Sequence, residues 1–192
     1  MPHINQNSSN ISKHKFIVLV ANEDEADKSQ LKDENCDIII TGEGRVNVIK
    51  TLTRCLKDGT ITDSDTIINI GYVGAKGFQK GEILVVDEVG LFKPSSYIKE
   101  ENIHIGKTSP ASFQSFRHAI CFSSKNFVGS EETSLLPEKC ICDMELYWIA
   151  LMFPNVISIK IVSDTLNYSD YKAAQFQKSW QSVFEAVKNF RL

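Results

Sequence analysis

The stretch "CDIIITGEGRVNVIKTLTRCLKDG", residues 36–59, holds the unit from which the rest of the chain is built. Its first part is a run of β-branched apolar residues, Ile38 to Ile40, with no polar alternation, as expected of a strand covered on both faces. Gly42 and Gly44 interrupt that run. Beyond them Val46, Ile49, Leu52 and Leu56 recur at helical spacing, and Gly59 offers a natural C-cap. A strand, a glycine turn and a helix in that order make the βα unit of an α/β domain.

The same pattern extends in both directions. "KFIVLVA" (15–21), "DTIINIG" (65–71), "EILVVDEVG" (82–90), "HAICFSS" (118–124) and "NVISIKIVS" (155–163) read as further strands, most of them continuously apolar. "DMELYWIALMF" (143–153) reads as a helix stopped by Pro154. A longer helix is expected over 169–190, with Ser169 as its cap and Tyr171, Ala174, Trp180, Phe184 and Val187 near one face. Strand–helix alternation of this kind predicts a largely parallel sheet. Residues 91–117 carry two prolines and no sustained period, so they are expected to form a long loop across a site or an interface.

With 192 residues and 42% hydrophobic content, residues 15–192 are expected to form a single domain with a substantial core. The polar opening "MPHINQNSSNISKH" reads as a flexible tail, 1–14, without the apolar segment of a signal peptide. A net charge of -3 gives no basic footprint for nucleic acid. No apolar run approaches the ~20 residues a membrane span requires. Five cysteines, an odd number, form no paired framework and read as reduced thiols of a cytoplasmic protein. Cys140 and Cys142 lack zinc-ligand company and read as two side chains on one face of a strand.

Ligands of open α/β sheets sit where strands end. Here those ends read "ANEDEAD", "TGEGRVN", "NIGYVGAKG", "SSKNFVG" and "SDTLNYSD". On residue chemistry alone they describe a ligand-binding domain with several candidate acids. Glu25 lies in an acidic run that equally suits a solvated helix start. Asp164 equally suits a turn cap, Phe127 a core position, and Gly74 a tight turn. Asp143 and Glu145 sit two apart in an apolar run, where a buried carboxylate costs several kcal/mol unless a partner compensates it.

In order, "IIITGEGRVN", "IINIGYVGAKG", "GEILVVDEV", "SSKNFV", "CDMELYWIA" and "IKIVSD" resemble the nucleoside phosphorylase superfamily, and within it the methylthioadenosine/S-adenosylhomocysteine nucleosidases. The resemblance implies a three-layer α/β/α fold with a mostly parallel, mixed central sheet. It implies hydrolysis of the N-glycosidic bond of a purine nucleoside such as methylthioadenosine, releasing a free base such as adenine, with no metal or organic cofactor. By motif, Glu25 falls on the acid that activates water and Asp164 on the donor that protonates the leaving purine, with Ser163 orienting it. Met144 and Glu145 fall on the ribose clamp, which gives Glu145 a sugar to pair with. Phe127 falls on the aromatic that stacks the base, the backbone there and at Val128 reads the base edge, and Gly74 and Tyr72 stand beside the reacting atoms.

The chain departs from the family pattern at four positions. Tyr72 replaces a small residue close to the water, Lys160 an Arg, Asn22 a Met of the sugar pocket, and Lys125 an Asp. Two alternatives stand beside hydrolysis. One is phosphorolysis, with Arg45 facing an anion site, and the other is a non-catalytic nucleoside-binding domain. The resemblance also implies a homodimer in which an apolar partner loop closes the pocket, a role that suits Leu91, Phe92, Tyr97, Ile98, Phe113 and Phe116.

Overall fold

Ile17 and Leu19 fall on one face of the first strand, Val18 and Val20 on the other, and all four are fully buried. That two-sided burial is why the strand runs of this chain are continuously apolar. The structure is a computed structural model that describes residues 15–25, 36–93, 102–105, 111–129, 131–167 and 177–190. The tail 1–14, together with Tyr97, Ile98, Ser169, Tyr171 and Ala174, lies outside these residues.

Among the described residues, eight strands and three helices follow one another: β1 (Phe16–Val20), β2 (Cys36–Ile40), α1 (Gly44–Lys57), β3 (Thr66–Lys76), β4 (Ile83–Leu91), β5 (Ile103–His104), β6 (Arg117–Ser123), β7 (Cys140–Asp143), α2 (Leu146–Met152), β8 (Ile157–Asp164) and α3 (Gln177–Phe190). All strands share one sheet in the order β2-β1-β3-β7-β6-β4-β5, and β8 pairs with both β3 and β4. The strands β3, β7, β6, β4 and β8 thereby close a ring. The sheet is mixed: β1 pairs in parallel with β2 and β3, β3 with β8, and β6 with β4 and β7, while β7 runs antiparallel to β3, and β4 antiparallel to β5 and β8. The fold is therefore a mixed α/β fold.

Two apolar clusters take up the two sides of the strands. One joins Ile17, Leu19 and Val86 with Val48, Leu52 and Cys55 of α1 and Leu146, Ile149 and Ala150 of α2. The other joins Val18, Ile68 and Ile159 with Trp180, Val183, Phe184 and Val187 of α3. On α1 the buried stripe is thus Val48, Leu52 and Cys55. Val46, Ile49 and Leu56, at the expected helical spacing, are exposed at 69%, 41% and 38%. Gly59 takes the left-handed conformation after the helix, as its C-cap position requires.

Two further expectations need correction. Residues 91–117 are not one loop, for they begin in β4, contribute β5 and the 3-10 turn Ala111–Phe113, and end in β6. Phe113 is fully buried in the chain's own core and Phe116 packs beside it, so neither forms an apolar loop offered to a partner. The second concerns residues 140–143, which form β7, so that Asp143 ends a strand and the helix starts at Leu146. Cys140 and Cys142 do share one face of that strand, and all five cysteines are buried and free.

Asp143 explains why strand gives way to helix there. One of its carboxylate oxygens accepts the Leu146 N–H at 3.1 Å, and Ser123 Oγ accepts the Tyr147 N–H at 2.9 Å. Two of the helix's orphan donors are satisfied in this way. Ser123 Oγ in turn donates to Asp143 Oδ1. The same carboxylate takes the ammonium of Lys160 from β8 at 2.9 Å, both side chains being almost wholly buried. Removing one partner of a buried pair strands the other charge and costs about 3–5 kcal/mol. Lys160→Met is therefore expected to lower the free energy of unfolding by that amount in urea titrations. A loss below about 1 kcal/mol would show that hydrogen bonds alone hold Asp143.

Candidate active site

The carboxyl ends of β1, β3 and β8, the turn before α1, the turn after β6 and the β7–α2 junction open onto one pocket of about 270 Å³. Its wall includes every residue named by motif: Glu25, Tyr72, Gly74, Phe127, Val128, Met144, Glu145, Ser163 and Asp164.

Glu23 and Asp24 are exposed, as a solvated acidic run predicts, but Glu25 turns inward and is only 5% exposed. Its Oε2 accepts the Ala21 N–H at 2.8 Å and its Oε1 the Tyr72 N–H at 3.2 Å. Burial raises the Glu25 pKa, while the Lys160 charge and backbone N–H groups of Tyr72, Ala21 and Asn22 oppose that shift. The carboxylate lies against β3 at Gly71, where a Cβ would be in ordinary contact with Oε1 at 3.4 Å.

Asp164, fully buried, ends β8. Ser163 Oγ donates to its Oδ2 at 2.7 Å and the Leu166 N–H to its Oδ1 at 2.8 Å. Gly74 on the neighbouring strand leaves room for this approach. A Cβ there would meet Leu166 Cδ2 at 2.6 Å and Asp164 Oδ1 at 2.8 Å, too close for any other residue without a shift. Leu166 holds a left-handed backbone, φ 63°, two residues beyond the acid.

Glu145 stands just before α2. Its Oε1 accepts the Gly44 N–H at 2.7 Å, tying the turn before α1 to the β7–α2 junction, and its Oε2 accepts the Met144 N–H at 3.2 Å. Burial, reinforced by the nearby Asp143 carboxylate, pushes its pKa up to about 7, against the pull of the Gly44 N–H and Lys160. Lys160 is drawn down by its own burial, but Asp143, Cys121 and Glu145 overcome that effect and leave its pKa raised. It is a fixed cation under the pocket floor.

Among the residues departing from the family pattern, Tyr72 directs its phenol toward α3. Trp180 Nε1 donates to Tyr72 Oη at 2.6 Å, with the rings edge to face at 5.3 Å. Lys125 is exposed and lies outside the pocket wall. Arg45 is exposed as well, its guanidinium 5.2 Å over the Trp148 ring, and it is not part of the wall. The charged side chains that do form the wall, among the described residues, are Glu25, Glu43, Asp143, Glu145 and Asp164. Phosphorolysis thus loses the arginine proposed for its anion site. Sequence reasoning missed Glu43, Ser124, Asn126 and Leu166 as wall residues. Glu43, Ser124 and Asn126 lie inside the stretches "IIITGEGRVN" and "SSKNFV", and Leu166 follows Asp164 by two residues, which was the available signal.

No protein-family model matches the chain, and no curated protein does. Solved structures do match. The methylthioadenosine/S-adenosylhomocysteine nucleosidase of Streptococcus pneumoniae, in complex with 8-aminoadenine, has a TM-score of 0.75 at 17% identity, covering 91% of this chain and 99% of that one. The corresponding enzyme of Colwellia psychrerythraea, in complex with adenine, has 0.73 at 15%, covering 92% and 96%. A futalosine hydrolase mutant of Helicobacter pylori has 0.71 at 16%, covering 93% and 98%. This is likeness of fold: the chain has a nucleoside phosphorylase/nucleosidase-like fold, close to that of the methylthioadenosine/S-adenosylhomocysteine nucleosidases.

The raised pKa of Glu145 has a consequence for stability. The fold favours the neutral acid, so this contribution is complete below pH 4.5, the ordinary value, and is lost as pH rises to about 7. Glu145→Gln cannot ionise. Thermal melts at pH 5 and pH 8 should show the wild-type protein losing more stability across that window than the variant. Equal losses would place the pH dependence elsewhere.

Proposed function

We propose that this protein hydrolyses the N-glycosidic bond of a purine nucleoside and releases the free base. The observation that carries the reading is the convergence of Asp164, Glu25 and Glu145 on one pocket, each with its oxygens held by N–H or O–H donors. The solved structures of like fold support it, since two of them are nucleosidases in complex with adenine or 8-aminoadenine. The finer reading of the fold is a three-layer arrangement, supported by α1 and α2 sharing one apolar cluster and α3 occupying the other.

In the proposed reaction the sugar hydroxyls donate to Glu145, and Met144 lies against the ribose. Phe127 stacks the base, with Val128 and Gly74 beside it. Asp164, in its acid form, gives its proton to a ring nitrogen of the purine as the C1′–N bond breaks and the bonding electron pair leaves with the base. Water attacks C1′, forming the new C–O bond, and Glu25 accepts the proton that water gives up. Lys160 beneath the floor favours the ionised form of Glu25. An acidic wall lacking Arg or Lys among the described residues favours water over phosphate as the nucleophile.

We also propose a homodimer in a cytoplasmic setting. Its surface is the exposed apolar group Val46, Ile49 and Leu56 on α1 with Leu151 on α2, 54% exposed, in place of the 91–117 segment.

The proton donor gives the sharpest test. Asp164→Asn keeps the size and most hydrogen bonds of the side chain but cannot supply an acidic proton. Base release from a purine nucleoside should fall by at least ~100-fold, while substrates with good leaving groups fall far less. Addition of phosphate should leave the wild-type rate unchanged. A saturable dependence on phosphate would refute hydrolysis, and an unimpaired Asp164→Asn would refute the role of the acid.

A further inference from the structure

Asn22 and Glu43 belong to the pocket wall but take no part in the chemistry proposed above. Asn22 follows Ala21, whose N–H holds Glu25, and Glu43 precedes Gly44, whose N–H holds Glu145. Between these two anchor points the side chains meet, Asn22 Nδ2 donating to Glu43 Oε1 at 3.2 Å. The amide is oriented from its other end, because Asn22 Oδ1 accepts the Asp24 N–H at 3.1 Å. Glu43 is fixed by its backbone. Its carbonyl accepts from Asn47 Nδ2 at 2.8 Å, and the flanking Gly42 and Gly44 hold positive φ of 80° and 76°. The pair is thus a set polar rim that joins the water-activating acid to the sugar clamp.

The two ends of the pocket differ in chemistry. Beside Asp164 stand Gly74 and Leu166, and Leu166 shares an apolar cluster with Val128. Around Glu145 the wall is amide and carboxylate. A nucleoside with its base at Asp164 and its hydroxyls at Glu145 leaves the substituent on C5′ to the stretch of wall between Glu145 and Glu25, where Asn22 and Glu43 meet. We infer that the Asn22–Glu43 pair selects purine nucleosides whose C5′ carries a hydrogen-bond donor, a hydroxyl or an amine, over those bearing an apolar thioether or a phosphate. This inference rests on the nucleosidase reading and names the substrate class of the same site.

A 5′-hydroxyl donates to Glu43 and accepts a hydrogen from the Asn22 amide, which carries two. A 5′-ammonium makes a charge-assisted bond with the carboxylate. A thioether displaces water from both groups and returns no hydrogen bond, so it loses the value of the contact and leaves polar groups unmade. A phosphate meets the Glu43 carboxylate with like charge, and no cationic side chain stands in the described wall to receive it.

The test is the rate of base release, as kcat/KM, from four purine nucleosides identical except at C5′: hydroxyl, amino, methylthio and phosphate. The hydroxyl and amino compounds should exceed the methylthio compound by about tenfold or more, the change expected for one lost hydrogen bond, with the phosphate slowest. Asn22→Met should bring the hydroxyl-to-methylthio ratio to one or below. Glu43→Gln should abolish the advantage of the amine over the hydroxyl and improve the phosphate compound. A wild-type preference for methylthio, or ratios unmoved in both variants, overturns the inference and leaves the nucleosidase reading standing. Release of base from none of the four would instead sink the nucleosidase reading. The same compounds titrated calorimetrically against the wild type and Asn22→Met then decide the inference by affinity. The hydroxyl and amino compounds binding tightest, with that order lost in the variant, would uphold it, and methylthio binding tightest or equal affinities would overturn it.

Discussion

A single buried ammonium holds this site together. Lys160 stands in β8 with 2% of its side chain exposed, and nothing but a matching anion makes that position tolerable. Asp143 supplies it, and to do so the chain must end β7 at that residue, beside β6, whose Ser123 also binds the carboxylate. Because the other donor to Asp143 is the first N–H of α2, the ion pair also fixes where that helix begins. Glu145 follows two residues later, so its placement descends from the same constraint. Lys160 is thus both structural counter-ion and the source of the field felt by Glu25 and Glu145.

That field decides how the two pocket glutamates differ. Both are pushed toward the neutral form by burial, but Glu25 has Lys160 as the chief opposing influence. Glu145 has Asp143 reinforcing the push. A base that must take a proton from water is served by a neighbouring cation that favours its charged state. A clamp that accepts sugar hydroxyls gains its charged partner when ligand donors arrive to solvate it. One lysine and one aspartate, placed by the strand ends, are enough to give two similar residues different electrostatic surroundings.

Strands such as Phe16–Val20 were legible because burial on both faces leaves a period-free apolar signature, whereas Ile157–Asp164 is buried throughout although Ser158 and Lys160 alternate with its isoleucines. The site motifs were legible because acids and glycines at strand ends have few structural uses together. Gly74 is the clearest case, its missing Cβ making room for Asp164 and Leu166. Other features could not be read locally. Val46, Ile49 and Leu56 have the spacing of a buried stripe, yet the face that meets the sheet carries Val48, Leu52 and Cys55. Which of two overlapping stripes is covered depends on the angle of the helix to the strands, a property of the whole assembly. Asp143 reads as the start of a helix because its partner Lys160 lies seventeen residues away. Phe113 sits in a segment without period and is nevertheless core, since Trp180 and Phe184 of α3 belong to the same cluster.

Tyr72 shows how a departure from a family pattern can leave a site intact. Its ring and hydroxyl are taken up by Trp180, on the side of the strands that α3 covers. What Tyr72 offers Glu25 is its backbone N–H, which any residue there except proline can supply. The side chain therefore acts at one remove. By linking β3 to α3 it ties the strand at a residue whose amide, with that of Ala21, holds Glu25. A small residue at this position would leave the amide in place and lose the tie between β3 and α3. In this chain the far-face helix and the carboxylate are two ends of one connection, Trp180 Nε1 to Tyr72 Oη and Tyr72 N to Glu25 Oε1, passing through a single residue.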